Sequence, residues 1–150
     1  METKYSCRAF AQFHEREGAI VEVEQGAPRI IHFEAPPEFG GEPGFWTPEN
    51  FLLAAVAACF VATFKSVAKA SKLEFQGIEV SVEGTVEREA GGFRFAKLVL
   101  SPTAIIFAEH DRERTQRLLR KSERICLITR SLSCATELEP KVLVERTVAA

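Results

Sequence analysis

Apolar and polar residues alternate along the first third of the chain, in the pattern of β-strands with one buried face. Residues 5–13 have apolar side chains at every second position, and Val21 and Val23 alternate with glutamates. A turn at residues 25–28 leads into a third apolar segment, residues 29–33. We therefore expect three strands before residue 35.

A loop and a long apolar helix come next. Residues 35–45 contain three prolines and three glycines, a composition that continues neither a helix nor a central strand. Thr47, Pro48 and Glu49 then supply an N-cap residue, a proline in the first turn and an acidic residue, so a helix is predicted over residues 48–71. Because its first half is apolar on all sides, we expect the helix to be central and covered all round.

The second half of the chain predicts a hairpin, a second helix and a last strand. A glycine turn separates two predicted strands: residues 78–83, where apolar and polar side chains alternate, and residues 93–100. The alternation slips at residues 96–98, which favours either a bulge or a strand buried on both faces. The second helix is predicted over residues 111–124 and the last strand over residues 137–148. On that helix the pattern predicts an apolar face of Leu118, Leu119, Ile125 and Cys126, and a solvated basic face of Arg117, Arg120, Lys121 and Arg124.

The order β-β-β-α-β-β-α-β predicts one α+β domain spanning residues 1–150. At 46% hydrophobic content the chain is long enough to bury a core without a disulfide or metal.

A net charge of −2, with acids and bases interspersed, gives no broad positive field, so nucleic-acid binding is disfavoured. The start lacks an apolar leader, and the uncharged run at residues 51–64 is shorter than a bilayer span. We therefore expect a soluble cytoplasmic protein, without a membrane partner, that acts on a small molecule or another protein.

The four cysteines carry the most information about chemistry, because a reducing cytoplasm keeps thiols free unless one of them performs redox chemistry. None forms a CxxC pair or lies near a histidine at zinc-ligand spacing, so neither a metal site nor a cofactor is expected. Cys59, inside the apolar helix, is either a small core side chain or a nucleophile. Cys126 follows a basic helical turn that would lower its thiol pKa, but it also shares a face with core residues. Cys7 and Cys134 are assigned no role.

A thiol that attacks a peroxide needs a cation, which holds the thiolate and stabilises the charge developing on the leaving oxygen. Arginine does this best when a carboxylate fixes its plane. Arg16 and Arg29 are the candidate cations, and Glu49 is the candidate carboxylate. Alternatively, Arg16 is a turn residue, Arg29 is an exposed strand residue and Glu49 interacts with the dipole of its helix. No serine elbow and no phosphate-binding glycine loop occurs in the sequence, which disfavours hydrolase and nucleotide-binding functions.

Three motifs together resemble the OsmC/organic hydroperoxide resistance family, in a divergent branch. They are residues 37–41 (PEFGG), residues 47–52 (TPENFL) and residues 57–60 (AACF). The spacing from Glu49 to Cys59 is that of the family. Cys126, at the end of residues 122–126 (SERIC), resembles the second family cysteine.

The resemblance implies an intertwined homodimer that reduces organic hydroperoxides and is restored by a dithiol reductant, such as a lipoylated protein. It implies Cys59 as the peroxidatic nucleophile and Cys126 as the resolving cysteine that closes a disulfide with it. An arginine–glutamate pair would be formed by Arg16 and Glu49. Apolar side chains near these motifs are candidates for a pocket that selects organic hydroperoxides over hydrogen peroxide, namely Phe45, Trp46, Phe60 and Phe64.

The chain departs from the family pattern at several positions. A proline and a small residue usually follow the second cysteine, where this chain has Leu127 and Ile128. Asparagine is usual where Thr47 stands, and His14 and Glu15 replace the glycines that usually precede the arginine. A non-catalytic, stress-related binding dimer and a thiol redox sensor on the same fold are therefore the alternative hypotheses.

Helix geometry predicts that the site is completed by a second subunit. Glu49 and Cys59 are ten residues apart, which is about 15 Å along the helix axis and about 80° around it. Glu49 is therefore not expected to serve the Cys59 of its own helix. Two copies of the helix packed antiparallel near Ala54 and Ala55, whose small side chains allow close approach, would bring Glu49 of one chain toward Cys59 of the other.

Overall fold

The structure is a computed structural model that describes residues 7–10, 19–23 and 31–145. The chain forms two compact units, whose boundary in the sequence lies between Leu52 and Leu53. Together they contain seven described strands and three described α-helices, a mixed α+β architecture as predicted.

The first unit contains a three-stranded antiparallel sheet. Its strands β1 (Cys7–Phe10), β2 (Ala19–Val23) and β3 (Ile31–Phe33) are ordered β1-β2-β3, so the three predicted strands are confirmed. Within the same unit the backbone of Phe33 forms a bridge with Trp46, whose ring stacks on Phe51 at 5.3 Å between centroids.

The proline- and glycine-rich segment forms a tight loop with a short 3-10 turn at Pro37–Phe39. Gly40 follows the turn with a φ of 90°, a left-handed conformation that glycine adopts without strain. A Cβ atom on Gly41 would lie only 1.7 Å from the carbonyl oxygen of Ala35, so no larger residue fits there. The predicted loop of specific geometry is confirmed.

The long helix α1 spans Pro48–Ala70, within one residue of its predicted end. Its start is fixed by reciprocal capping between Thr47 and Asn50. The backbone amide of Thr47 donates to Oδ1 of Asn50 at 3.0 Å, and the amide of Asn50 donates to Oγ1 of Thr47 at 3.2 Å. Two amides that would otherwise lack partners are satisfied in this way.

The second unit is built on a four-stranded sheet around one central strand. β5 (Gly92–Ile106) pairs antiparallel with β4 (Gly77–Glu89) and in parallel with β6 (Ala135–Leu138) and β7 (Lys141–Val144). The predicted hairpin and its glycine turn are confirmed.

The hairpin contains a bulge, which is one of the two alternatives that the sequence left open. Thr85 pairs with Lys97 whereas Val86 pairs with Phe95, which leaves Ala96 as the extra residue on β5. The slip in the alternation at this point of the sequence is therefore a bulge rather than a strand buried on both faces.

The single last strand predicted over residues 137–148 is wrong, because the segment forms two strands. Pro140, between β6 and β7, has no N–H to donate to a ladder. The amide of Glu139 donates to the carbonyl of Leu100 at 2.8 Å, and pairing with β5 resumes farther along it at Thr103. Residues 146–148 of the predicted strand lie outside the described residues.

Two helices join β5 to β6, where one was predicted. α2 (Arg112–Ile125) matches the prediction within one residue at each end, and its basic face is exposed as expected. Cys126 then interrupts the helix with an extended ψ of 118°, and a second short helix, α3 (Leu127–Ser131), follows. Ile125 was expected on the buried face but is 47% exposed.

The core of the second unit lies between α1, the sheet and α2. α1 contributes a stripe of residues spaced by four, and the sheet contributes alternate residues of β5. Its members include Val56, Phe60, Phe64 and Ala68 of α1, Leu98, Leu100, Ala104 and Ile106 of β5, and Leu118 and Leu119 of α2.

α1 is not covered all round within one chain, contrary to the expectation. One face is buried, but Ala55, Ala58 and Ala62 are exposed. The apolar run at residues 51–64 is too short to span a membrane. The whole of α1, judged by its length and composition alone, is long and apolar enough to cross one. Core helices of soluble proteins meet the same two criteria, and Phe60 of α1 is fully buried in the core of the second unit.

Candidate active site

The second unit brings together the two cysteines that the sequence singled out. Cys59 is half-buried on α1, and Cys126 is fully buried at the junction of α2 and α3. Both are free thiols, and the thiol of Cys126 hydrogen-bonds the sulfur of Cys59. Two thiols in contact can form a disulfide after one of them is oxidised.

The sulfur of Cys59 is surrounded by further hydrogen-bond donors. Thr63, one helical turn farther along α1, contributes its hydroxyl. The backbone amides of Leu127 and Ile128 also donate to it. These amides are available because Cys126 ends α2 and α3 begins immediately afterwards, so the first amides of α3 have no partner within their own helix.

These donors favour the ionised form of Cys59. Burial is the largest single effect and acts to raise the pKa of Cys59. Hydrogen bonds from the amide of Ile128, the Cys126 thiol, Thr63 and the amide of Leu127, in decreasing order, together outweigh it. The pKa of Cys59 consequently lies below its ordinary value of 9.0. A thiolate is the reactive form of cysteine, so Cys59 has the character of a nucleophile.

Cys126 has the opposite electrostatic environment. Burial raises the pKa of the Cys126 thiol, and hydrogen bonds from Thr129 act in the opposite direction. The hydrogen bond to Cys59 and the charge of an ionised Cys59 raise it further, and the net shift is upward. Cys59 therefore loses its proton at a lower pH than Cys126. When Cys59 is ionised, the protonated Cys126 thiol donates a hydrogen bond to it.

An open cavity of about 410 Å³ borders Cys59 between α1 and α2. α1 lines it with residues on one helical face, and α2 contributes two residues one turn apart. The lining side chains that matter for its chemistry are Cys59, Thr63, Ser66 and Val67 from α1, with Lys121 and Ile125 from α2.

Glu49 lies in the first turn of α1, as predicted. Its Oε2 atom is buried and has no hydrogen-bond partner among the described residues. A buried carboxylate oxygen without a partner costs free energy, so the position favours a donor supplied from elsewhere. Arg16 and Arg29, the two candidate donors, lie outside the described residues, and the choice between them stays a prediction.

The predicted aromatic pocket is wrong for Phe60 and Phe64. Both side chains are fully buried in the core, on the α1 face that packs against the sheet, and neither lines the cavity beside Cys59. Phe45 and Trp46 belong to the first unit, where Trp46 is 46% exposed. Their role in a pocket stays a prediction.

Sequence reasoning missed Thr63, Lys121 and the amides of α3 as parts of the site. Thr63 lies four residues after Cys59, a spacing that puts two side chains on one helical face and could have identified it. Cys134, which was assigned no role, is half-buried against the core. The described residues contain no group of three or more histidine, cysteine or acidic side chains that could hold a metal ion.

Comparison with known proteins places this geometry in context. A protein-family model described as "OsmC-like protein" matches residues 40–141. That segment contains Glu49, Cys59 and Cys126, together with the whole cavity.

Related sequences cover most of the chain. An "Organic hydroperoxide resistance protein" of Xanthomonas axonopodis pv. citri is 32% identical over 114 residues, which are 74% of this chain and 75% of the relative. "Uncharacterized protein YmaD" of Bacillus subtilis is 26% identical over 121 residues, 77% of this chain and 79% of the relative.

A solved structure shows the same fold. The organic hydroperoxide resistance protein OsmC from Legionella pneumophila superposes with a TM-score of 0.72 at 22% identity, covering 95% of this chain and all of that one. The architecture described above is therefore shared with that protein.

Proposed function

This chain belongs to the OsmC-like protein family, and we propose that it is a thiol peroxidase that reduces organic hydroperoxides at Cys59. One observation carries the proposal: Cys59 has a lowered pKa and is in hydrogen-bond contact with the second thiol, Cys126. The name of the Xanthomonas relative, which refers to organic hydroperoxide resistance, supports the same substrate class.

In the first step the Cys59 thiolate attacks the terminal oxygen of the hydroperoxide. The O–O bond breaks, the leaving alkoxide takes a proton to become an alcohol, and Cys59 becomes a sulfenic acid. The sulfur is oxidised and the peroxide is reduced by two electrons. The amides of Leu127 and Ile128 stabilise the thiolate before the attack.

In the second step the sulfur of Cys126 attacks that of Cys59. A disulfide forms, and the sulfenic oxygen leaves as water with the proton of Cys126. The contact between the two sulfurs favours this step over further oxidation of Cys59 by a second peroxide. A dithiol reductant, such as a lipoyl group carried on a protein, then restores both thiols by disulfide exchange.

The proposed enzyme is an intertwined homodimer in the cytoplasm. The exposed alanine face of α1 fits packing against a second copy of the helix, because small side chains allow close approach. In that arrangement Glu49 of one subunit and an arginine, Arg16 in our proposal, complete the partner's site. The Oε2 atom of Glu49 has no hydrogen-bond partner among the residues that the structure describes, which supports the idea that a cation is to be supplied there.

Steady-state turnover tests the proposal against its two alternatives, a non-catalytic binding dimer and a redox sensor. Purified protein is given cumene or tert-butyl hydroperoxide with dihydrolipoamide, and alcohol formation is followed. Many turnovers per subunit, abolished in Cys59→Ser, are expected. A stop after one equivalent per subunit would favour a sensor, and no consumption would favour a binding protein.

A further inference from the structure

The open cavity between α1 and α2, called the groove from here on, carries a positive charge that the proposed peroxide chemistry does not use. Its walls combine apolar side chains such as Val67 and Ile125 with the hydroxyl-bearing Thr63 and Ser66 and the ammonium-bearing Lys121. Among the described residues, no aspartate or glutamate lines it. A mainly apolar cavity with one cation at its wall suits a ligand that has a hydrocarbon body and an anionic group.

Lys121 is also free of the ion pairs that engage the earlier part of α2. Arg112, Arg114 and Arg117 each lie within 4.0 Å of a carboxylate on the same or the preceding turn. Lys121 is exposed and has no ion-pair or hydrogen-bond partner in the part of the chain that the structure describes. Its charge is therefore available to a bound molecule.

The position of Lys121 relative to Cys59 sets the size of that molecule. Cys126 contacts Cys59, and Lys121 precedes Cys126 by five residues, which is about 7.5 Å along α2. On α1 the groove extends from Cys59 to Ala70, about 16 Å of helix. A ligand whose reacting end is at the Cys59 sulfur would thus reach Lys121 with a group several carbon atoms away.

We propose that Lys121 is a specificity-determining residue that binds the carboxylate of an anionic alkyl hydroperoxide while the peroxide group lies at Cys59. This inference rests on the proposed peroxidase function and names the substrates that the site prefers. The hydrocarbon chain lies along the face of α1 that contains Ser66 and Val67. Neutral hydroperoxides use the same thiol without the contribution of Lys121.

A matched pair of substrates tests the assignment. One is a tertiary alkyl hydroperoxide with a carboxylate at the end of a chain of about six methylene groups, a length that spans the helical distance given above. The other is its methyl ester. We expect the kcat/KM of Lys121→Met to fall roughly fivefold for the acid, as for an exposed ion pair, and to be unchanged for the ester. Lys121→Arg should keep the preference for the acid. Added salt should lower the wild-type kcat/KM for the acid and leave that for the ester unchanged.

Arg120→Met is the matched control, because Arg120 is an exposed cation of the same helix that does not line the groove. Arg120→Met should leave kcat/KM at the wild-type value for both substrates. An equal fall in kcat/KM for the acid and the ester in Lys121→Met would overturn the proposal, because it indicates a general effect on the fold. The same fall for the acid in Arg120→Met would also overturn it, because it indicates an effect of the overall charge of α2.

The outcome is separable from failure of the peroxidase function. If the wild type reduces neither substrate, binding of the corresponding hydroxy acid, which cannot react, is measured by calorimetry. Weaker binding of the hydroxy acid by Lys121→Met, with unchanged binding of its methyl ester, would support the anionic site even then. Equal binding of the acid by both proteins would overturn it.

Discussion

The thiol of Cys126 hydrogen-bonds the sulfur of Cys59, although the two residues come from different helical segments of the chain. The contact separates the pKa values of the two thiols, because it favours the ionised form of Cys59 and disfavours that of Cys126. Burial raises the pKa of Cys126, whereas the donors around Cys59 lower the pKa of Cys59. This difference supports the proposed assignment of Cys59 as the nucleophile and Cys126 as the resolving thiol.

The first prediction concerns pH. Because a lowered pKa means that the thiolate is already formed at lower pH, alkylation of Cys59 by iodoacetamide should reach half its maximal rate below pH 9.0. Cys126 should react only at higher pH. Alkylation is followed by mass spectrometry of the two peptides across the pH range. A Cys59 midpoint above that of Cys126 would contradict the assignment.

The second prediction isolates one backbone amide. Leu127→Pro removes the N–H that donates to Cys59. The change suits the backbone, since Leu127 is the first residue of α3 and Cys126 is extended with a ψ of 118°. The pKa of Cys59 should rise, and the rate of its reaction with peroxide near neutral pH should fall by about tenfold, as expected for loss of a hydrogen bond to a charged group.

Leu127→Ala is the control, because it removes a similar amount of side chain but keeps the amide. Leu127 is 67% exposed, so neither change should cost much stability. Stopped-flow rates and thiol titration of both variants provide the comparison. Equal rates in the proline and alanine variants would show that the amide of Leu127 does not hold the thiolate.

The elements with strong local signals were predictable from the sequence. α1 was placed within one residue because its capping residues and its continuous apolar pattern agree. The break in a period of two near Ala96 was visible in the sequence, but it fitted either a bulge or a strand buried on both faces, and the structure shows the bulge. The short helix α3, Leu127–Ser131, was not predictable, because five residues are too few to show a helical period.

The site was only partly predictable. The pairing of Cys59 with Cys126 followed from the family resemblance, since no local pattern relates residues so far apart in the sequence. Phe60 and Phe64 were misplaced because apolar character alone does not separate a core face from a pocket wall. The position of Lys121 beside the groove depends on how α2 packs, and its basic neighbours in the sequence gave no reason to select it.

The third prediction tests the correction of the aromatic residues. Phe64→Ala should lower the free energy of unfolding by about 3–5 kcal/mol, because the side chain is fully buried in the core. Urea unfolding measures the loss. The ratio of kcat/KM for cumene and tert-butyl hydroperoxide should stay at the wild-type value in the folded variant. A changed ratio with unchanged stability would instead support a pocket role.

The fourth prediction tests completion of the site by a second subunit. Glu49→Ala and Cys59→Ser homodimers should both have low activity. When they exchange subunits, half of the dimers become mixed and each contains one intact site of two, so about a quarter of the wild-type activity should return. A wild-type monomer with full activity at micromolar concentration in sedimentation experiments, or no recovery on mixing, would reject the shared site.

The central claim is that Cys59 and Cys126 act as one redox pair, and mapping of the oxidised thiols tests it most directly. Reduced protein is treated with one equivalent of cumene hydroperoxide, quenched with an alkylating agent and digested without reductant. The account predicts a Cys59–Cys126 disulfide in the wild type, and a Cys59 sulfenic acid that can be trapped in Cys126→Ser. A disulfide that joins Cys59 to Cys7 or Cys134, or sulfinic acid at Cys59 formed as fast in the wild type as in Cys126→Ser, would contradict it.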